Sequence, residues 1–304
     1  MKERRRTIQN MPESSSISCR TASRPVVLCA MGGLANRIRA IDSARTLCRR
    51  FNRPLRIVWI RDSRQIAARF SDLFEPIDDT NVSVLEATFL DRLRYAPPSW
   101  HRNARIPVLW QFIRFGPSRR LSVPRGRILQ RAGTIPPQFA RRDRTVVLYA
   151  WWQMVPAEDR YAFFRPLPSL LAEVDALVAT FPGTRTVGVH VRRGDHAQAI
   201  RHSPIEAFEA RMDALLASIE ADSFFLATDD SSIRDRLARR YGSRLLFRDG
   251  SSDRSTLAGM RGAVVDLWTL SRCTRLFASC GSTFAPTAAA LGGIPFETVE
   301  TPTP

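Results

Sequence analysis

Lysine is almost absent from this 304-residue chain: Lys2 is its single lysine, and every other basic residue apart from histidine is arginine. So extreme a skew is more typical of a base-composition bias in the source genome than of a cationic surface built for one partner. The formal net charge is nevertheless +17, and a field of that size attracts nucleic acid, anionic lipid or acidic glycans. We therefore expect a solvated basic surface with incidental affinity for polyanions, including peripheral association with anionic membranes.

Cysteine pairs are also lacking. The five cysteines form no CxxC pair and show no spacing typical of zinc ligands, so the sequence predicts no metal site. Their odd number, with two inside apolar segments, favours reduced thiols in a cytoplasmic protein. They are Cys19, Cys29, Cys48, Cys273 and Cys280.

Long apolar runs are missing as well. No stretch reaches the length of a membrane-spanning helix. Residues 1–24 are basic and serine-rich without a continuous apolar core, so they resemble neither a signal peptide nor an anchor, and we expect a disordered leader. With 44% apolar and 25% charged residues, the chain has the composition of a globular protein large enough for two domains.

What the sequence does contain is an alternation of strand and helix patterns. Residues 26–30 form a short apolar run, residues 32–37 a glycine-containing turn, and the residues up to about Arg50 an amphipathic helix pattern. A second strand is predicted at 55–60, which completes one βαβ unit.

The middle of the chain is less regular. Residues 79–144 contain many prolines and arginines and predict loops with short helices, followed by a strand at 148–152 that ends in aromatic residues. Two interpretations of residues 79–144 stay open: they line an acceptor groove, or they form a solvated, irregular face.

The last third returns to strict alternation. Helices are predicted at 169–181, 204–220, 231–241, 261–271 and 282–291, and strands at 186–191, 223–227, 245–247, 276–278 and 294–299. The pattern predicts an α/β protein with two Rossmann-like domains, whose parallel sheets face a cleft. Prolines at 166 and 168 suggest a hinge, with an N-terminal domain over 25–165 and a C-terminal domain over 166–304.

The most informative segment is residues 186–195, with the sequence TVGVHVRRGD. Its alternating valines predict a half-buried strand that runs directly into Arg192 and Arg193. Ligands bind beyond the carboxyl ends of parallel strands, and guanidinium groups there suit phosphate oxygens. A surface salt bridge is the alternative for the arginine pair, and Asp195 is expected to brace the loop.

Two further strand ends carry acidic residues. Asp229 and Asp230 could accept hydrogen bonds from a base or a ribose, or bind a metal, whereas one of them could equally cap the following helix. Asp266 lies among bulky apolar residues and therefore needs a partner. That partner is either the two adjacent N–H donors of a guanine or one of the many arginines.

Hydroxyl groups and glycines mark two other turns. Ser282 and Thr283 lie where a strand passes into a helix, and the free N–H groups of a helix start form an anion site. The turn at 32–37, GGLANR, also precedes a predicted helix and could bind an anion in the same way, with Gly33 and Asn36 as candidate contacts. It matches neither GxGxxG nor the GxxxxGK loop, and the turn at 279–284 is not the GxSxG of esterases.

Together these segments resemble the GDP-fucose-dependent fucosyltransferases of the nodulation, core α1,6-, α1,2- and protein O-fucosyltransferase type. Residues 190–195 are similar to the first signature motif of that superfamily, 227–230 to the second, and 266–284 to the third. The turn at 32–37 resembles the glycine-asparagine loop near their amino termini. The likeness covers residues 26–60 and about 184–292.

The resemblance implies a GT-B-type fold, with GDP-fucose held by the C-terminal domain and the acceptor on the side of the N-terminal domain. Carried over, Arg192 holds the β-phosphate, with Arg193 in the same motif. His190 and Asp266 contact ribose and guanine, Asp229 or Asp230 lies nearby, Ser282 and Thr283 bind phosphate, and Asn36 reaches in from the other domain. Such enzymes need no metal or other cofactor, and most invert the sugar configuration.

One departure concerns the catalytic base. The glutamate that serves core α1,6-enzymes would fall near Ile200 here, so His196 or Glu206 is left as the candidate, or the reaction is dissociative and needs little base.

The sequence therefore predicts a fucosyltransferase acting on a glycan acceptor, in a bacterial surface glycan or oligosaccharide. The alternatives are another nucleotide sugar as donor, or a basic non-enzymatic protein that binds nucleic acid or another polyanion. No recognised nucleic-acid motif supports the last, so no nucleic-acid partner is expected.

Overall fold

The computed structural model describes residues 23–62, 65–95, 109, 113, 120–121, 139–194 and 197–301. Most of the predicted leader, more than half of the segment 79–144, and both Asp195 and His196 lie outside these residues. Within them the chain is an α/β protein with two parallel sheets, as the alternation of patterns predicts.

The first sheet contains the strands of the N-terminal half in the order β3-β2-β1-β5-β4. Every neighbouring pair is parallel. The strands are β1 (Val26–Ala30), β2 (Leu55–Trp59), β3 (Val82–Glu86), β4 (Arg120–Leu121) and β5 (Val146–Ala150).

The second sheet follows in the order β10-β9-β6-β7-β8, again with parallel neighbours. Its strands are β6 (Thr186–Val191), β7 (Ser223–Thr228), β8 (Leu245–Phe247), β9 (Leu276–Ser279) and β10 (Phe296–Val299). β6 lies at its centre, so the segment that carries Arg192 leaves from the middle of the sheet.

Helices connect the strands. They are α1 (Leu34–Arg50), α2 (Phe89–Tyr95), α3 (Pro168–Ala179), α4 (Ala197–His202), α5 (Ile205–Ala217), α6 (Ser231–Tyr241), α7 (Leu257–Leu270) and α8 (Phe284–Gly292). In the described part of the chain, none of the helices combines the length and the apolar character that a bilayer crossing requires.

The central strand β6 is buried on both faces, which corrects the prediction of a half-buried strand. The alternating valines pack against a core that includes Phe208 and Phe224, while the other face meets the core shared with α7. Gly188 lies on that second face, and a Cβ there would collide with Leu276. Helices cover both faces of a parallel sheet, so even the polar-looking positions of its central strand become buried.

Several helix boundaries differ from the prediction. α7 begins at Leu257 instead of 261, because the Thr256 side chain accepts a hydrogen bond from the Gly259 amide and caps the helix. Because the helical propensity of glycine is low, Gly259 and Gly262 made the first turn of α7 unrecognisable as helix in the sequence. β3, β4 and α4 were not predicted, whereas α2 lies in the segment 79–144, where short helices were predicted without bounds.

The two halves of the chain pack directly against each other. The rings of Phe74 and Trp268 lie with their centroids 5.9 Å apart, and both belong to one continuous apolar core. The Ala67 amide also donates to the Arg254 carbonyl at 3.2 Å. The cleft between the halves therefore has fixed walls, whereas the division of the chain at residue 165 remains a prediction.

Candidate active site

A cavity lies where the carboxyl ends of the strands from both sheets converge. It brings together eight of the predicted residues: Gly33, Asn36, His190, Arg192, Asp229, Asp266, Ser282 and Thr283. Two others, Arg193 and Asp230, are not among its lining residues. The described chain thus collects strand-end positions that are more than 200 residues apart in sequence into one site.

Arg192 occupies the loop that follows β6 and is held at two points. Its backbone N–H donates to the Ser279 hydroxyl at 3.0 Å, which ties this loop to the end of β9. Its Nε lies 3.3 Å from a carboxylate oxygen of Asp229, at the end of β7. Side-chain exposure is 21%, so the guanidinium is restrained at its Nε and still borders the cavity. Such a fork suits two oxygens of a phosphate group.

Arg193 is directed into the protein. Its guanidinium donates to the Ser203 carbonyl at 2.9 Å and to the Arg192 carbonyl at 3.1 Å, and the residue is only 7% exposed. Its backbone N–H donates to Asp229 at 2.7 Å. Burial lowers the pKa of Arg193, although three nearby acids oppose the shift. The neighbouring arginines therefore differ in position: one borders the cavity, and the other braces the loop.

Asp229 and Asp230 also separate into two positions. Asp229 accepts from the Arg193 amide and pairs with Arg192, so it holds the arginine loop in place. Asp230 is the N-cap of α6, where it accepts from the amides of Ser232 and Ile233. Hydrogen bonding to Ser232 lowers the pKa of Asp230. Of the two interpretations of this pair, helix capping holds for Asp230.

His190 is buried at the end of β6 with 7% exposure. Its ring stacks on Phe284, with centroids 5.0 Å apart and planes at 23°, and its Nδ1 lies 3.3 Å from the Ser282 hydroxyl. Burial, with a smaller contribution from Arg192, lowers its pKa to about 3. The imidazole is therefore neutral at physiological pH and can both donate and accept a hydrogen bond.

The turn before α8 presents a helix start to the cavity. Gly281 has φ +70°, which favours glycine, and lets the chain reverse from β9 into the helix. Thr283 is the N-cap residue, but its side chain makes no capping hydrogen bond. The Ser282 hydroxyl instead accepts the first amide of α8, that of Phe284, at 3.2 Å, so what α8 offers an anion in the cavity is mainly the positive end of its dipole.

A second helix start faces the cavity from the first sheet. Gly33 is the N-cap of α1 without a side-chain cap, and Gly33 and Asn36 both line the cavity. Gly32 has φ +80°, and a Cβ there would approach the Asn36 amide nitrogen within 2.9 Å. Buried Arg37 fixes this turn, because its Nε donates to the Gly32 carbonyl at 2.9 Å. Glycine at 32 therefore allows the close approach that positions Asn36.

Asp266 projects from α7 and pairs with Arg248, which is the arginine alternative of the sequence interpretation. The Nε of Arg248 lies 3.1 Å from one carboxylate oxygen and its Nη2 lies 3.4 Å from the other. Burial raises the pKa of Asp266 to about 6, while Arg248 acts in the opposite direction. Asp266 lines the cavity while it is paired with Arg248.

The sequence interpretation missed several lining residues, which are Ser252, Arg254, Gly259, Met260 and Ala263. Other lining residues lie inside its motifs without having been named as contacts, and these are Leu34, Ala35, Ala227, Thr228, Gly281 and Phe284. Ser252 and Arg254 belong to the irregular segment between β8 and α7, where no periodic pattern identifies them. A usable signal was the pair Gly259 and Gly262 inside a helix, since helical glycines mark the close approach of another segment.

The structure describes one of the two candidate bases. His196 lies outside the described residues. Glu206 is hydrogen bonded to Arg236 at 3.0 Å, its pKa is lowered by hydrogen bonds to its own backbone amide and to Arg236, and it does not line the cavity. Among the described residues, no group of three or more histidine, cysteine and acidic side chains is arranged to hold a metal ion.

Comparisons with known proteins agree with this architecture. No family model and no curated protein matches the sequence. Solved structures do match. NodZ α-1,6-fucosyltransferase soaked with GDP-fucose has 22% identity and a TM-score of 0.59, over 88% of this chain and 92% of that one. The fucosyltransferase NodZ from Bradyrhizobium is 18% identical with a TM-score of 0.59 and the same coverage. POFUT1 in complex with GDP is 13% identical with a TM-score of 0.55, over 91% and 98%.

The chain has the fold of these fucosyltransferases. The match extends over nearly the whole length of both partners, so it includes both sheets and the cleft between them. The GT-B-like architecture predicted from the strand-end motifs is therefore confirmed, and the resemblance stated from sequence holds at the level of the fold.

Proposed function

We propose that this protein transfers fucose from GDP-fucose to a hydroxyl group of a glycan acceptor. The observation that carries the proposal is the position of Arg192, which borders a cleft cavity together with the start of α8. Structures of the same fold were solved with GDP-fucose or GDP.

The departing diphosphate sets the main chemical demand. When the bond between the anomeric carbon and the phosphate oxygen breaks, negative charge grows on the β-phosphate. Arg192, the positive end of the α8 dipole and the hydroxyls of Ser282 and Thr283 just before that helix offer positive charge and hydrogen-bond donors to the cavity. Groups fixed before the reaction stabilise such charge without having to reorganise. This arrangement supports a metal-independent transfer.

The nucleoside is assigned to other groups that line the same cavity. Neutral His190 can donate to or accept from a ribose hydroxyl, and its stack on Phe284 fixes the ring plane. Asp266 has oxygen lone pairs for the two adjacent N–H donors of guanine. Asn36 approaches from the first sheet, where it would contact the donor across the cleft. Arg193 and Asp230 are assigned to bracing the loops instead.

The acceptor hydroxyl attacks the anomeric carbon from the face opposite GDP, so the configuration inverts. Its oxygen forms the new glycosidic bond, the phosphate oxygen leaves with the bonding electrons as GDP, and the hydroxyl proton passes to a base or to water. We keep His196 as the proposed base, because the pairing of Glu206 with Arg236 makes that carboxylate a poor proton acceptor.

The experiment that tests donor identity is a thermal-shift comparison of GDP, UDP and ADP at equal concentrations. A ligand that binds only the folded state stabilises it according to its occupancy. We expect GDP to raise the melting temperature by several degrees and the other two to have little effect. Equal shifts for the three nucleotides would favour another donor, and no shift with any of them would favour a binding protein without a nucleotide site.

A further inference from the structure

Arg248 is enclosed by the wall of the cavity. It follows β8, and its side chain is 13% exposed. Besides the two contacts with Asp266, its Nη1 donates to the Asp249 carbonyl at 2.8 Å and its Nη2 to the Ser251 carbonyl at 2.9 Å. A planar guanidinium satisfies all of these acceptors at once, and a lysine ammonium on its flexible stem cannot reproduce that fork.

Two glycines on α7 make room for this arrangement. A Cβ at Gly262 would collide with the Arg248 guanidinium, and a Cβ at Gly259 would collide with the backbone of Asp253. A glycine inside a helix is destabilising relative to alanine, so two of them within one turn are accounted for by the close approach of another segment. That contact is the segment 248–254, which lies directly against the helix.

The segment that Arg248 holds forms part of the cavity. Ser252 and Arg254 line it, next to Gly259 and Asp266. The segment also reaches the other half of the chain, through the hydrogen bond from the Ala67 amide to the Arg254 carbonyl. Displacement of Arg248 would therefore release one whole wall of the cavity, in addition to the Asp266 carboxylate.

We propose that Arg248 is a positioning residue for the donor nucleotide: it fixes Asp266 and residues 249–254 in the arrangement that receives the nucleotide before binding. A wall that is ordered in advance spares the ligand the entropy of ordering it. The inference rests on the proposed function and extends it to a residue that makes no assigned contact with the donor.

Three variants separate the roles of charge, shape and stability. Arg248→Met removes all four hydrogen bonds, Arg248→Lys keeps a positive charge beside Asp266, and Gly262→Ala displaces the guanidinium while every charge remains. The matched control is Arg244→Met, which removes an exposed arginine just before β8. Melting temperatures show which variants fold. If Arg248→Met does not fold, the proposal is tested with Arg248→Lys and Gly262→Ala.

The readout is the dissociation constant of GDP for folded protein, measured by calorimetry, together with KM and kcat for GDP-fucose. We expect at least tenfold weaker GDP binding for Arg248→Met and Gly262→Ala, a smaller loss for Arg248→Lys, and a change within twofold for the control. KM for GDP-fucose should rise in parallel while kcat at saturation stays within a few fold.

Two results separate the proposals. If the wild-type protein does not bind GDP, the proposed function fails and this inference fails with it. If the wild type binds GDP and the folded Arg248 and Gly262 variants bind it equally well, Arg248 supports only the stability of the fold. A lower melting temperature with unchanged GDP affinity leads to the same rejection.

Discussion

Arg192 and Asp229 form an ion pair across the ends of two neighbouring strands, with 3.3 Å between the guanidinium Nε and a carboxylate oxygen. β6 and β7 are adjacent and parallel, so their carboxyl ends meet at the same edge of the sheet. The other oxygen of Asp229 accepts a hydrogen bond from the Arg193 amide, which fixes the orientation of the carboxylate. The position of Arg192 is thus set by a residue 37 positions further along the chain.

Replacement of Arg192 tests the central chemical role. Arg192→Ala should lower kcat/KM for GDP-fucose by about a thousandfold, roughly 4 kcal/mol of transition-state stabilisation. The melting temperature should change little, because the residue is partly exposed and lies outside the apolar core. Arg192→Lys should recover only part of the activity, since a point charge replaces the fork. Arg244→Ala serves as the control, and wild-type turnover by Arg192→Ala would refute the assignment.

Loss of the Asp229 carboxylate should act through Arg192. Asp229→Asn removes the ion pair and retains an oxygen that can accept the Arg193 amide, so the loop keeps its backbone contact. We expect kcat to fall by about ten- to a hundredfold, the usual range for a residue that orients a catalytic group. Steady-state kinetics measure this effect. The double variant combines Arg192→Ala with Asp229→Asn. If Asp229→Asn lowers kcat by the same factor in the Arg192→Ala background as in the wild type, the two residues act independently and Asp229 does not act through Arg192.

Burial of His190 predicts a pH dependence of stability. The folded-state pKa of about 3 lies below the ordinary value of 6.5, so the unfolded chain binds a proton first as the pH falls. The contribution of this residue is complete above pH 6.5 and is lost progressively toward pH 3. Between pH 6.5 and 5 the loss amounts to at most about 2 kcal/mol. Urea titrations should show less acid destabilisation for His190→Gln than for wild type, and parallel pH profiles would contradict the assignment of a neutral, buried imidazole.

Asp42 should give the stability of the fold the opposite pH dependence. This buried residue on α1 accepts from the Gln153 amide at 2.9 Å, and burial raises its pKa to about 6 from 3.8. The folded state therefore binds the proton more tightly, and stability contributed below pH 3.8 is lost as the pH rises through 6. Asp42→Asn keeps an acceptor for Gln153 and should stabilise the protein at pH 8 by up to about 3 kcal/mol relative to pH 4. Chemical denaturation at the two pH values measures the difference, and equal effects would rule out a protonated Asp42.

Strands β1 and β6 were predictable because each is an apolar segment bounded by turn or charged residues. β1 spans residues 26–30 and β6 spans 186–191 as predicted, since apolar runs end abruptly at glycine or arginine in both cases. Asp230 and Gly242 likewise predicted both ends of α6 through capping chemistry. Local signals of this kind need no knowledge of the rest of the fold.

What the sequence could not supply was the choice between partners. Either a guanine or an arginine could contact a buried Asp266, and only the structure shows that Arg248, packed against Gly262, forms an ion pair with it. Arg192 and Arg193 are adjacent and identical in type, yet the Arg193 guanidinium is buried and donates to the Ser203 carbonyl. Such outcomes depend on contacts between distant segments, which periodicity does not encode.

The measurement that tests the account most directly is the turnover of GDP-fucose by the purified protein, with and without a panel of oligosaccharide acceptors. Mass spectrometry follows both the release of GDP and the addition of one fucose to the acceptor. We expect acceptor-dependent GDP release together with the fucosylated product, and loss of both in Arg192→Ala. A protein that binds GDP but leaves GDP-fucose intact with every acceptor, or that turns over another nucleotide sugar faster, would contradict the proposed function.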